Sequence, residues 1–246
     1  IQLKETTMKK LILPSMITFF FITGIEVHAD GHASNNGEGA FNTLMVKSKD
    51  IEKYVARLKS DQTVFKAIGT SDAGVCITRS GNNHEGEMFV WNAYPDVATA
   101  MHANTIYNPY DAPKEMKKLR KVKYGVTWRP LKSFRLDPGW ERVIRVKVES
   151  EDMNAYVQMI KDLEKAIIDS GYPAFNMGVF VPIGGGAHES ETLMIRAIMP
   201  TAKEFGELVD NYFKGASWGR IWEQSQMMSE VTSDTFEECE QIYKAE

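Results

Sequence analysis

A four-residue pattern, His-Glu-x-Glu, occurs twice in this chain, at residues 84–87 and 188–191. Imidazole and carboxylate groups both bind divalent cations, so the pattern raises the question of a metal site. In a regular strand, Glu85 and Glu87 would point to one side, about 6.5 to 7 Å apart, and His84 to the other. We therefore favour a polar hairpin entrance whose acids pair with neighbouring lysines or arginines. A metal site at an irregular hairpin mouth stays the alternative, and we assign no metal ligands.

Other catalytic patterns are missing from the sequence. It contains no nucleophile elbow, no glycine-rich phosphate loop that opens a helix and no Cys-x-x-Cys pair. The glycines at 184–186 precede a strand-like run, so they predict a hairpin tip. Cys76 and Cys239 could form a disulfide in an oxidising compartment or stay as free buried thiols, and the sequence leaves both possibilities open.

The chain repeats itself. Most of the matching residues recur in the same order at an offset of 102 to 105 positions. The matches are Ser48 and Ser150, Asp50 and Asp152, Tyr54 and Tyr156, Val55 and Val157, Gly69 and Gly171, Pro95 and Pro200, and at a shorter offset Gly125 and Gly219, Trp128 and Trp222. Repetition of this kind predicts a duplicated fold, with one unit at residues 41–136 and another at 140–232.

Hydrophobic periodicity changes in the same order in both units: strand, helix, two strands joined by a turn-rich tip, helix, strand. We expect Asp50 and Asp152 to cap the first helix of each unit, and Gly69 and Gly171 to follow its end in a left-handed conformation. These positions bracket the helix at both ends in each copy.

The final element of each unit is less regular in sequence. The first copy has a strand-like run at residues 125–134, and we place its counterpart at residues 219–227. A helical pattern at residues 233–246 predicts a C-terminal helical tail beyond the second unit.

The element order is that of a ferredoxin-like α+β sandwich. Consecutive apolar residues at 88–91 and 193–195 indicate strands buried on both faces, so we expect the two sheets to cover each other. In this respect the chain resembles the dimeric α/β-barrel superfamily, with its two ferredoxin-like units fused in tandem as a pseudo-dimeric α/β barrel. The resemblance covers nearly the whole mature chain and depends on element order and on the repeat.

That superfamily includes small monooxygenases and haem-degrading or haem-binding enzymes. Its haem-degrading members carry an Asn on the first strand, a Trp on the third and a His on the second helix, and Asn42, Trp91 and His102 fall on those elements. The resemblance implies these three as catalytic candidates and His102 as a haem ligand. Alternatively, Trp91 is core, His102 lies on a helix surface and Asn42 is a polar group at the start of a strand. The second copy has Glu207 where His102 would recur.

The N-terminal residues predict export. Met8 is followed by two lysines, an apolar run at 11–25 and the small residue Ala29, which is typical of a secretory signal peptide. An uncleaved anchor is the alternative, but the run is shorter than the roughly 20 residues that span a bilayer, and Pro14 interrupts it. Residues 1–29 are thus upstream sequence and signal peptide, residues 30–40 a polar linker, and the expected location is periplasmic or secreted.

Charge and composition narrow the functional classes. Removing residues 1–29 takes away three lysines and two glutamates, so the net charge of −4 becomes −5. A mildly acidic protein has no general attraction to nucleic acid or anionic lipid.

Our leading prediction is an exported soluble protein that holds a small apolar molecule in a cleft or inter-sheet cavity. A haem-binding or cofactor-independent monooxygenase-like enzyme and a structural module without ligand are the alternatives. The sequence does not decide between a monomer and a homo-oligomer.

Overall fold

The structure is a computed structural model, and it describes residues 39–246. The expected signal peptide, the residues before it and most of the expected linker lie outside the described residues. None of the helices between residues 39 and 246 combines the length and the hydropathy that a bilayer-spanning segment requires.

The first unit consists of four strands and four helices. They are β1 (Ala40–Ser48), α1 (Ile51–Ser60), α2 (Thr63–Ala67), β2 (Asp72–Ser80), β3 (Glu87–Tyr94), α3 (Val97–Ile106), α4 (Lys114–Leu119) and β4 (Arg120–Pro130). The second unit follows the same plan. Its elements are β5 (Gly139–Lys147), α5 (Met153–Asp169), β6 (Asn176–Ile183), β7 (Leu193–Met199), α6 (Ala202–Phe213), α7 (Gly219–Met227) and β8 (Glu230–Lys244).

The eight strands close into one antiparallel barrel in the order β1-β3-β2-β8-β5-β7-β6-β4. Each unit supplies four neighbours of this ring, β4-β1-β3-β2 and β8-β5-β7-β6, and the units join edge to edge at β2·β8 and at β4·β6. Inside the barrel, Phe41 of the first unit packs edge to face on Phe180 of the second, with ring centroids 5.7 Å apart. The expected pseudo-dimeric α/β barrel, with the inner sheet faces covering each other, is therefore confirmed.

The helix ends largely follow the sequence. The Asp50 side chain accepts a hydrogen bond from the Lys53 amide at 3.0 Å, and Gly69 and Gly171 have φ of 66° and 111°. Asp152 occupies the expected N-cap position of α5, but it has helical backbone angles and its side chain makes no cap hydrogen bond. The Asp152 backbone already belongs to a turn that leads into α5, since its amide donates to the carbonyl of residue 149.

The expected ends of the second unit are wrong. Residues 219–227 form the helix α7, and the expected helical tail at 233–246 is occupied by the 15-residue strand β8. The second unit therefore continues to Lys244, and Trp222 on α7 is not the counterpart of Trp128 on β4. The buried positions of β8 include the polar residues Thr235 and Glu237, which hide its period-two pattern.

The structure also decides between the two possibilities for the cysteines. Cys76 on β2 and Cys239 on β8 are register partners across one of the two seams, and their sulfur atoms are bonded. The disulfide thus joins the first unit to the second inside the barrel, where both residues are buried.

Candidate functional site

A cavity of about 520 Å³ lies between the outer face of the first sheet and helices α1 to α4. The loop that joins α3 to α4 forms part of its wall, and residues 183–185 at the end of β6 reach its edge. Apolar side chains line its middle; they are Leu44, Leu58, Phe65, Ile68 and Val90.

A row of polar side chains crosses three strands at one end of this cavity. Asn42 on β1 is the register partner of Asn92 on β3 and of Thr127 on β4, so all three side chains lie on the same face. The Asn42 amide donates to the Ala100 carbonyl at 2.7 Å, and its oxygen accepts from the Thr127 hydroxyl at 2.7 Å. These bonds fix the Asn42 side chain between the sheet and α3.

Two polar atoms at this end are buried without a hydrogen bond. They are the Tyr94 hydroxyl and the Asn92 side-chain oxygen, and neither has a partner among residues 39–246. Burial raises the pKa of Tyr94 to about 12, and the nearby Asn42 side chain, which does not meet the hydroxyl in hydrogen-bond geometry, opposes this shift. The Tyr94 phenol therefore stays protonated at neutral pH and can donate to a bound molecule. Buried polar groups normally have partners, so these two atoms indicate a place for a ligand group.

A buried cation occupies the other end. Arg120 at the start of β4 donates from Nη1 to the Tyr54 hydroxyl at 2.6 Å and from Nη2 to the Tyr107 hydroxyl at 2.7 Å. Burial raises the pKa of Tyr54, although the Arg120 charge acts against it. Within residues 39–246, no carboxylate lies within 4.0 Å of the Arg120 guanidinium. This wall of the cavity therefore carries a positive charge without a bound acid.

The two polar ends are far apart along the sheet. Tyr94 lies opposite Ala40 on β1, and Arg120 lies opposite Ser48. Eight residues of strand at about 3.3 Å each separate these backbone positions by roughly 26 Å. The cavity is thus elongated, with hydrogen-bonding groups at one end, an apolar middle and a guanidinium at the other end.

The structure does not bring the three sequence-derived candidates together. Asn42 faces the cavity, whereas Trp91 points into the barrel, where its ring packs on Phe41 with centroids 6.5 Å apart and fills the space above Gly74. His102 is exposed on α3, and its ring nitrogen lies 3.4 Å from the Thr105 hydroxyl. The catalytic role of these residues stays a prediction from the sequence.

Among the described residues, the side chains around the cavity lack the histidine or cysteine that usually holds haem iron. The Tyr94 phenol is a poor iron ligand, because its raised pKa disfavours the phenolate. A second cavity of about 300 Å³, over the second sheet, is also lined without histidine or cysteine in the described part of the chain. We therefore derive no chemistry through haem, and the haem role of His102 stays a prediction.

The His-Glu-x-Glu patterns lie mostly in turns, and only Glu87 belongs to a strand, as the first residue of β3. In the second copy, Glu189 is buried, accepts a hydrogen bond from the Tyr124 hydroxyl at 2.9 Å and pairs with Arg145 at 3.2 Å. His188 stacks on the Tyr124 ring, with centroids 4.1 Å apart. In the first copy, Glu87 accepts from the amide of Asn83. The favoured pairing of the acids with a cation thus occurs at Glu189.

A second set of buried charges lies inside the barrel, away from the cavity. Arg196 pairs with Glu141 at 2.5 Å, and both side chains are almost fully buried. Glu237 lies close to the bonded Cys76 and Cys239 sulfurs, and its Oε2 has no hydrogen-bond partner among the described residues. Burial raises the pKa of Glu237 to about 7, while the nearby arginines lower it.

Sequence reasoning found Asn42 but missed Arg120, Tyr94 and Asn92. Arg120 follows a helical run with lysines at 114, 117 and 118, a pattern typical of a solvated helix face, although the helix α4 ends at Leu119. The signal that could have revealed Arg120 is its position, where the helical spacing of apolar residues ends and the alternation typical of a strand begins. Such a position is the start of a strand and not part of the helix surface.

The fold can be compared with known proteins. No protein-family model matches this chain, and no curated protein matches its sequence. Solved structures do match. One is a "putative monooxygenase" from Lactobacillus acidophilus, with 13% identity, 85% of this chain and 96% of that chain covered, and a TM-score of 0.53. The chain has the dimeric α/β-barrel fold.

Two further dimeric α/β-barrel structures are similar at lower identity. A "putative chlorite dismutase" has 9% identity, covers 83% of this chain and 96% of its own, and has a TM-score of 0.51. A chlorite dismutase variant from Candidatus Nitrospira defluvii, solved with cyanide, has 8% identity, coverages of 87% and 95%, and a TM-score of 0.50. At such identities the dimeric α/β-barrel likeness establishes the fold alone.

Proposed function

We propose that this protein binds a small, elongated and largely apolar molecule in the cavity over its first sheet. The observation that carries the proposal is the buried Tyr94 hydroxyl, which lines a cavity of about 520 Å³ without a hydrogen-bond partner among the described residues. Ligand sites are commonly apolar cavities of this size with a few convergent polar groups. A bound molecule would satisfy Tyr94 and Asn92 and cover the apolar middle.

Export is part of the proposal. The signal-like segment at residues 8–29 supports it, and so does the disulfide between Cys76 and Cys239. Disulfides persist in oxidising compartments and are rare in the cytosol. Fusing residues 8–29 to a reporter that folds only outside the cytoplasm tests this part, and a cytoplasmic reporter would contradict it.

A cofactor-independent oxygenation is the second candidate, because monooxygenases are named among proteins of this fold. Such an enzyme would need the same cavity to hold an oxidisable substrate. Ligand binding is therefore the step that both candidates share. An enzyme should consume oxygen when the purified protein is incubated with a ligand that co-purifies with it, whereas a carrier should not.

The cavity is tested with 1-decanol as a neutral apolar probe and with methyl NMR. We expect the methyl resonances of Leu44, Leu58 and Val90 to shift on titration. Val64→Trp, at the cavity wall, should abolish these shifts by filling the space, whereas Val231→Trp, also at an exposed valine but on β8, should leave them unchanged. Shifts that are insensitive to Val64→Trp would contradict the proposal.

A further inference from the structure

We infer that the natural ligand of this cavity is an organic carboxylate whose charged group pairs with Arg120. The inference rests on the proposed function, since it names the class of molecule that the same cavity takes. It depends on three observations, which are the burial of the guanidinium, the pairing of the nearby acids elsewhere and the way two tyrosines hold the guanidinium.

Arg120 is 8% exposed and carries a charge that the described protein leaves without an acid. Arginine is rarely this buried unless it is paired, because removing a charge from water is costly. Its side-chain hydrogen bonds go to the hydroxyls of Tyr54 and Tyr107. The raised pKa of Tyr54 keeps that phenol neutral, so it supplies an acceptor without a countercharge. An anion from outside the chain would supply the missing negative charge.

The carboxylates at the edge of the same cavity do not serve this purpose. Asp61 pairs with Arg57 at 2.8 Å, and Glu115 pairs with Lys118 at 2.8 Å. Both acids also line the cavity, but the Glu115 side chain is largely and the Asp61 side chain partly exposed, and each has its own cation. They are therefore neutralised at the surface and leave the buried guanidinium to a ligand.

The position of Arg120 suits a carboxylate. A guanidinium presents five donors in a planar fork that matches the two oxygens of a carboxylate. Tyr54 and Tyr107 each hold one of its terminal nitrogens, so the orientation of the fork is fixed before a ligand arrives. The apolar middle then takes an alkyl or aromatic body, and Tyr94 can meet a polar group at the distal end.

The inference is tested by isothermal titration calorimetry with two chain-matched probes, decanoate and 1-decanol, at neutral pH. We expect the wild-type protein to bind decanoate roughly 10- to 100-fold more tightly than decanol, the range of a charge-assisted hydrogen bond. Arg120→Gln should remove this preference and retain decanol binding, and Arg120→Lys should keep part of it. Arg79→Gln, which removes a half-exposed arginine outside the cavity, should keep the preference within about twofold.

The outcomes separate this inference from the proposed function. Equal binding of decanoate and decanol to the wild-type protein would overturn the carboxylate inference and leave the cavity as a site for neutral molecules. Binding of neither probe would count against the proposed function itself. If Arg120→Gln does not fold, the comparison uses the wild-type protein with decanoate, decanol and the cation decylammonium. The inference is supported only if decanoate binds most tightly, decanol less tightly and decylammonium most weakly. Any other ranking contradicts it.

Discussion

Arg196 directs a guanidinium nitrogen to within 3.3 Å of the Cys76 sulfur, so a cation from the second unit lies against the disulfide that joins both units. The same guanidinium pairs with Glu141 and lies 5.5 Å from the ring of Phe89. The disulfide and the contacts of Arg196 with Cys76 and Phe89 thus link the two units, while the ion pair with Glu141 holds Arg196 within the second unit. This arrangement explains how charged residues are buried between two sheets.

Loss of the disulfide should destabilise the barrel. The bond joins residues that are 163 positions apart, so it reduces the conformational entropy of the unfolded chain. Replacing both cysteines, as Cys76→Ala with Cys239→Ala, should lower the free energy of unfolding by about 2 to 5 kcal/mol. Urea denaturation measures this effect. A reducing agent should shift the wild-type curve by a similar amount and leave the double variant unchanged, and equal stability of all forms would contradict the prediction.

Glu237 should make stability fall with rising pH. Its pKa is raised from 4.5 to about 7 in the folded protein, chiefly by burial, with Arg145 and Arg196 acting in the opposite direction. The folded state therefore binds more protons than the unfolded state between these two values. The free energy of unfolding should decrease across this interval by up to about 3 kcal/mol.

Glu237→Gln should remove most of this dependence, because the amide resembles the protonated acid. We expect the variant to match the wild-type protein near pH 4 and to be more stable near pH 8. Glu238→Gln is the matched control, since the neighbouring side chain is half exposed and bonds Arg79 at the surface. Thermal unfolding over this pH range measures both. An identical pH dependence of the Glu237→Gln and wild-type proteins would contradict the assignment.

Tyr94 and Tyr54 should respond in opposite ways to loss of the hydroxyl. Tyr94→Phe removes a buried polar atom that has no partner within the described chain, so the free protein should gain about 1 kcal/mol of stability. Tyr54→Phe removes an acceptor from the buried Arg120 and should cost about 1 to 3 kcal/mol. Denaturation of the ligand-free variants measures both, and a loss of stability in Tyr94→Phe would show that its hydroxyl is already bonded.

The packing of Trp91 can be tested at Gly74. A Cβ atom at Gly74 would lie 2.3 Å from the Trp91 ring and 2.4 Å from the backbone oxygen of Glu240. Gly74→Ala should therefore destabilise the protein by about 1 to 3 kcal/mol. Gly206→Ala is the control, because nothing lies within 4 Å of its added atom and alanine favours the helix α6. Equal effects of the two substitutions would place Trp91 away from Gly74.

Much of the fold could be predicted because most elements carry a clear hydrophobic period. The helix α5 buries Tyr156, Ile160 and Leu163 at helical spacing, and β3 is an almost continuous apolar run. The hydrophobic period did not predict β8, because Glu237 points into a charged part of the barrel interior but looks like a surface residue in the sequence. It also failed at α7, where the match between Trp222 and Trp128 suggested a strand.

The site was less predictable than the fold. Asn42 could be found from the resemblance, but Arg120 could not, because a run of lysines before it resembles a solvated surface. Arg120 becomes a candidate through its hydrogen bonds to Tyr107, 13 positions away in the sequence, and to Tyr54, 66 positions away. Such contacts arise only after the helices have packed on the sheet. Local sequence patterns do not contain that information.

The strand β8 has a consequence for how the molecule is made. It hydrogen-bonds β2 on one side and β5 on the other, so each of those strands has an open edge until residues 230–244 have been synthesised. Unpaired edges are sites of aggregation, and a nascent chain would carry two of them. We expect ribosome-bound or translocating intermediates to need a chaperone until this last segment is inserted between the two edges.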